Sequence, residues 1–440
     1  MASTEVPSGH LGNLSPEQEE KLRQFWQAIG NVCGWSETGS APTKETTKEA
    51  SNVTAAADSG KWGFSLFRKT EDTSAASASG NSAEDDKFGL TKQFDDVLAK
   101  QSAESIRQTI WSMVKHDHPD ALALRFLRAR KWDVQKALVM FIAAMNWRDS
   151  EMHVDDDIMK QGEAGAAESE RGGDTNNMKI GHDFMEQIRM GKSFLHGNDR
   201  EGRPICVVRV RLHRNGDQCA ESIERYTVHI IETARLLLAP PVETATIVFD
   251  MTSFTLANMD YAPVKFMIKC FEANYPESLG AVLIHNAPWV FQGIWRIIRG
   301  WLDPVVASKV HFTNGRSGLE QFIEPSKIIS ELGGDEQWEY KYEEPVDGEN
   351  KSMEDAASKA MIMEERAGLV KEFEEATKTW IRDSEGNSGK QAAETRTEVA
   401  RKMRANYWKL DPYVRAKSLY DRQGVIKVGG SIDYYPENAQ

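Results

Sequence analysis

Asp250 and His285 stand where an α/β enzyme would hold an acid–base pair, each at the end of a short apolar run, Thr246 to Phe249 and Val282 to His285. No activated nucleophile accompanies them. Gly315-Arg-Ser-Gly falls one residue short of the G-x-S-x-G elbow. The two residues therefore read as local hydrogen-bonding groups at strand ends. Gly191-Lys192-Ser193 resembles the close of a phosphate loop, but the glycine required five residues earlier is Glu186, so the backbone cradle is missing. Neither G-x-G-x-x-G nor H-E-x-x-H occurs, and the histidines show no ligand spacing. The four cysteines, Cys33, Cys206, Cys219 and Cys270, form no C-x-x-C pair and read as reduced thiols. The expectation is a protein that is not an enzyme and holds no metal or cofactor.

A different chemistry runs through Phe249 to Phe312, which reads as strand, helix, strand, amphipathic helix, strand. The last helix, around Val290 to Leu302, carries Val290, Phe291, Ile294, Trp295, Ile297, Ile298, Trp301 and Leu302. Only Gln292, Arg296 and Arg299 are strongly polar. So apolar a helix, edged by arginine, suits the cover of a lipid-sized cavity or contact with a membrane surface. The competing reading is an ordinary buried helix of an α/β core.

The elements that would position these residues can be read along the chain. Ser15-Pro16-Glu17 starts a helix that carries Leu22, Phe25, Trp26 and Ile29 at helical spacing. Residues 36–86 are rich in Ser, Thr, Ala, Gly, Glu and Lys and cannot bury enough apolar surface to fold. One island within them, Lys61 to Arg68 (KWGFSLFR), reads as a short docking motif or a chance apolar cluster. Phe94 to Leu98 and Ile106 to Val114 read as helices, followed by two more separated by Lys131-Trp132-Asp133, with Asp133 as cap. The Gly-rich acidic stretch from Asp155 to Asn177 reads as a surface loop. An α/β alternation follows from Met178, with strands at Ile205 to Val210, Thr246 to Phe249, Val282 to His285 and Val310 to Thr313. Helices are expected at Glu221 to Leu238 and Leu319 to Leu332. Two further helices, Glu354 to Arg382 and Lys390 to Trp408, fill the charged C-terminal region.

A net charge of −13 argues against nucleic acid as a partner. No run approaches the roughly 18–20 apolar residues of a membrane span. The N-terminal segment lacks the basic and apolar regions of a secretory signal, so a cytoplasmic protein is expected.

Six segments in order, RFLRARKWDVQKA, DREGRP, FDMTSFTLANMD, ANYPESLG, IHNAPWVFQGIW and LDPVVASKV, resemble the CRAL-TRIO lipid-binding proteins, and most of all their fungal phosphatidylinositol transfer branch. The resemblance covers about residues 122–334. It implies an α/β fold in which a mixed, mainly parallel sheet floors an apolar lipid pocket. A helical subdomain precedes the sheet, a helical extension follows it, and the Val290–Leu302 helix is the gate. The chain then divides into an N-terminal helix (1–35), a disordered linker (36–86), a helical subdomain (88–150), an acidic insert (151–178), a lipid-binding domain (179–343) and a C-terminal extension (344–440).

Carried over residue by residue, the resemblance implies a headgroup site of Arg130, Glu277 and Lys309, and phosphatidylinositol as the bound phospholipid. Lys309 and Arg130 suit a phosphodiester, and Glu277 suits inositol hydroxyls. A structural salt-bridge network is the alternative. Relatives that bind phosphatidylcholine place hydroxyls where this chain has Ala245 and Ile247, and a threonine where it has Val306, so phosphatidylcholine exchange is not expected. The partners implied are the phospholipid, a transient membrane surface and a protein recruited by the N-terminal arm or C-terminal tail. Two other readings stay open: a scaffold acting through those extensions, or a carrier of a sterol-like, isoprenoid or porphyrin guest.

Overall fold

The computed structural model describes residues 6–35, 86–384 and 386–436. The linker expected at 36–86 and its WGFSLF island lie outside them, save for residue 86. Helix α1 (Pro16–Val32) begins as expected: Ser15 and Gln18 form a reciprocal capping box, with Pro16 at the first helical position. Four helices follow, α2 (Leu90–Lys100), α3 (Ala103–Val114), α4 (Pro119–Ala129) and α5 (Val134–Asn146). The Asp133 carboxylate caps α5 by accepting from the Lys136 N–H. Phe25, Trp26, Leu124, Phe126 and Phe141 bring α1, α4 and α5 into one apolar core.

The stretch from Asp155 to Asn177 is not the expected surface loop. It folds as a π-turn (Val154–Ile158), helix α6 (Met159–Arg171) and the start of α7 (Thr175–Arg189). Its Ala, Glu, Gln and Arg residues are good helix formers, and Ile158, Met159 and Ala167, with Val154 just before the stretch, are buried. Its acidic residues are exposed or half-buried, except Glu163, which is buried. Gly162 is required here: its φ is +54°, and a Cβ there would stand 2.9 Å from the Ala416 Cβ.

The sheet has the order β1-β2-β3-β4-β5. An unforeseen edge strand β1 (Ser193–Asn198) runs antiparallel to β2 (Pro204–Arg209). Then come α8 (Ala220–Leu236), β3 (Ala245–Asp250), α9 (Tyr261–Lys269), β4 (Leu279–His285), α10 (Phe291–Arg299), α11 (Pro304–Ser308) and β5 (Val310–Thr313). Strands β2 to β5 pair in parallel. The helix expected from Leu319 to Leu332 does not form. A short α12 (Gly315–Leu319) gives way to 3-10 turns at Pro325–Lys327 and Ser330–Leu332. Pro325 cannot supply the N–H a continuing helix needs, and it holds Glu324 extended.

The C-terminal region contains α13 (Ala356–Arg382), α14 (Asn387–Leu410) and a final turn α15 (Leu419–Arg422). Helices α13 and α14 pack into the same core as α1, through Phe373, Trp380, Val399 and Met403. At that contact Asp120 accepts from both Trp26 and Arg396, and the Arg396 guanidinium lies 4.0 Å from the Trp380 ring centre. The last turn reaches the sheet edge, where Arg422 pairs with the buried Glu163 of α6.

Candidate ligand cavity

Strand alternation assigns each face of the sheet. Ile205, Val207, Val248, Ala281 and Leu283 pack on one side with Phe194 and Leu319. Cys206, Val208, Ile247, Phe249, Val282 and Ile284 face the other side and line a cavity of about 280 Å³ closed over by α8, α9 and α10. Ala245 and Ile247 belong to this lining. Thr246 points to the opposite face, where its hydroxyl donates to Asp199 Oδ2 at 2.6 Å.

The helix expected at Val290 to Leu302 is present but shorter, Phe291–Arg299, because the chain turns at Gly300. Phe291, Trp295, Ile298 and Leu302 line the cavity. Ile294 is buried beside them, and Val290 and Trp301 are half-buried against the same core. Trp301 also takes the Lys265 ammonium over its ring at 4.8 Å. The outer side of this region carries Trp289, 86% exposed, together with Ile297 and Phe312.

Two of the three expected headgroup residues meet. The Lys309 ammonium donates to Glu277 Oε2 at 3.3 Å. Lys309 caps α11 just before β5, and Glu277 lies in the turn before β4. Their chain neighbours Val310 and Ser278 line the cavity, so the pair stands at its edge. Arg130 ends α4, its backbone N–H still bonded to Phe126 O.

The sequence reading missed the two earlier arginines of the same motif. Arg125, buried, donates to Glu277 O at 3.1 Å and to Glu243 O at 2.6 Å. Arg128 donates to Glu243 Oε2 at 3.1 Å and to Gly9 O at 3.0 Å. Their spacing of three residues puts both on one helix face, the signal that could have found them. Burial would raise the Glu243 carboxyl, but the His10 hydrogen bond and the charges of Arg125 and Arg128 hold it below the usual carboxylate range. Glu277 has a positive φ of 54°, costly for a residue with a Cβ. The Arg125 contact to its carbonyl helps hold that conformation.

Asp250 and His285 are each held by other residues. Asp250 Oδ2 accepts from Arg211 at 2.5 Å, and His285 shares a hydrogen with the Thr313 hydroxyl of β5 at 3.1 Å. Burial lowers the His285 pKa below the ordinary histidine value. Cys33, Cys206 and Cys270 are buried, and desolvation pushes the first two thiols up to about 12. Among the described residues no cluster of His, Cys, Asp and Glu could hold a metal ion.

Comparison with known proteins agrees with this architecture. The CRAL/TRIO domain model matches residues 188–334, and the CRAL/TRIO N-terminal domain model matches residues 90–143. The CRAL-TRIO domain-containing protein C3H8.02 of Schizosaccharomyces pombe is 39% identical over 428 residues, covering 95% of this chain and 92% of that protein. The phosphatidylinositol transfer protein CSR1 of Eremothecium gossypii is 38% identical over 452 residues, covering 97% of this chain and all of that protein (100%). The Sec14 cytosolic factor of S. pombe is 27% identical over 237 residues, 48% of this chain and 74% of that one. Similarity of this extent, over both the sheet and the helical regions, establishes that the chain belongs to the CRAL/TRIO family.

Proposed function

We propose that this protein encloses one phospholipid, phosphatidylinositol, and exchanges or presents it at membrane surfaces without catalysing a reaction. The observation that carries this reading is the Glu277–Lys309 pair at the edge of a largely apolar cavity. Burial is worth roughly 0.8 kcal/mol per CH₂, so leaving two acyl chains in water would cost on the order of 25 kcal/mol. A carrier must therefore cover the chains and still open at the bilayer. Helix α10, with its inner side on the cavity and Trp289 and Ile297 outside, suits a movable cover that meets the membrane. Arg296 and Arg299 add attraction for anionic lipid, about 1 kcal/mol each.

In this reading Lys309 and Arg130 contact the phosphodiester and Glu277 accepts from inositol hydroxyls, while Arg125 holds the Glu277 turn. Ala245 and Ile247 offer no hydroxyl to the cavity, which favours inositol lipid over phosphatidylcholine. The likeness to a protein named for phosphatidylinositol transfer supports the same ligand. The protein would act in the cytoplasm, touching membranes from outside; among the described residues no helix is long and apolar enough to cross one.

The decisive experiment is native mass spectrometry of the purified chain with identification of the retained lipid, paired with transfer assays between vesicles. Glu277→Gln and Lys309→Ala should abolish phosphatidylinositol transfer while leaving the unfolding midpoint nearly unchanged, since a part-exposed pair is worth at most about 1 kcal/mol. Undiminished transfer by both variants would overturn the headgroup assignment.

A further inference from the structure

The cavity has a second polar end. Strands β3, β4 and β5 begin beside Glu277 and Lys309, and β2 and β3 finish at Arg209 and Asp250. Strand β1 runs antiparallel to β2, pairing Ser193 with Val208, so Lys192 sits at the finishing end. Roughly 16 Å of strand separates the two ends. Lys192 is 6% exposed and lines the cavity with Gln187, His213, Asn258 and Asp260.

The Lys192 ammonium donates to Gln187 Oε1 at 3.2 Å and to Gln218 Oε1 at 2.7 Å, both neutral amides. One of its three hydrogens is left over. Among the described residues it makes no ion pair within 4.0 Å. Lys115, equally buried, pairs with Glu232 at 2.7 Å and Asp155 at 3.2 Å. A second group at this end is incomplete: His213 Nε2 is buried without a hydrogen-bond partner, its nearest carboxylate being Asp260 at 3.5 Å. Burial lowers the Lys192 pKa to about 8, opposed by Glu186, Asp217, Asp260 and Asp183, so the ammonium is the main form at neutral pH.

The methyl ends of phospholipid chains would offer these groups nothing, and a buried cation without a counter-charge is costly. We infer that Lys192, with Gln187 and His213, binds the carboxylate of a single-chain fatty acid whose tail lies along the apolar cavity. A monoanion fits one cation ringed by distant acids; a dianionic phosphate would be opposed by them. This inference rests on the reading of the cavity as a lipid site.

The test titrates the purified full chain with oleate, with oleyl alcohol and, separately, with phosphatidylinositol. Oleate should bind at least tenfold more tightly than the alcohol of equal length. Lys192→Met should erase that preference while leaving alcohol and phosphatidylinositol binding unchanged, and His213→Ala should reduce it in part. Equal affinity for oleate and oleyl alcohol in the unaltered protein, or a preference that survives Lys192→Met, overturns the inference. Should Lys192→Met not fold, the comparison in the unaltered protein decides. Phosphatidylinositol bound without oleate preference would refute this site and spare the proposed function; oleate preference without phosphatidylinositol binding would do the reverse.

Discussion

The Tyr420 hydroxyl accepts a hydrogen bond from the backbone N–H of Leu195 at 2.7 Å. Leu195 lies on β1, an edge strand whose outward N–H groups have no neighbouring strand among the described residues. The C-terminal extension thus closes the sheet beside the cavity. Tyr420→Phe keeps the ring but leaves the buried N–H unpaired, which should lower the unfolding free energy by about 1–3 kcal/mol in urea titration. Hydrogen exchange at the Leu195 amide should lose protection; unchanged exchange would show that the contact does not matter in solution.

Glu232 on α8 is fully buried among three cations, Lys115 at 2.7 Å, Arg148 at 2.7 Å and Arg235 at 3.1 Å. Glu232→Gln strips that charge from the cluster and should cost about 3–5 kcal/mol. Burial alone would raise the Glu232 and Asp155 carboxyls, but Arg148 and the neighbouring cations hold Glu232 well below the ordinary range and Asp155 at about 2. Folded pKa values below the unfolded ones mean stability that is full above about pH 5 and lost as pH falls toward 2. Acid titration of the unfolding midpoint should show a steeper loss in that window for the parent chain than for Glu232→Gln.

His116 is buried against Tyr407 and Trp408 of α14, and desolvation lowers its pKa to about 4. The unfolded chain binds the proton first, so stability is full above about pH 6.5 and declines as pH falls from there to 4, by on the order of 3 kcal/mol. Asp117 opposes the shift and Arg404 and Arg235 support it. His116→Gln keeps a donor for the Arg235 carbonyl, now 3.1 Å from Nε2, and should flatten the decline. A melting profile of the variant that still falls across that window would exclude His116 as its source.

Trp289 and Ile297 are exposed on the outer side of the α10 region. Each would gain roughly 1.5–3 kcal/mol by insertion into a bilayer interface. The double substitution Trp289→Ala, Ile297→Ala should cut vesicle co-sedimentation and transfer at least tenfold while the purified protein still retains lipid. Transfer at the parental rate would remove α10 from the membrane contact.

Local sequence determined much of the architecture. The capped start of α1, the cap at Asp133, the apolar runs within strands β3 and β4 and the apolar α10 are each specified by residues adjacent in the chain, so periodicity and capping chemistry sufficed to read them. Glu277 and Lys309 were legible as members of motifs. What those motifs could not express is partnership across distance. Arg125 meets Glu277 over 152 residues, Tyr420 meets Leu195 over 225, and Arg422 meets Glu163 over 259. The stretch from Asp155 to Asn177 looked like a loop because its burial depends on Ala416 and Arg422, far along the chain. The second polar end of the cavity was invisible for the same reason. Lys192 is one surface-type residue in sequence, and only the antiparallel return of β1 carries it under the sheet, where losing water makes its charge matter.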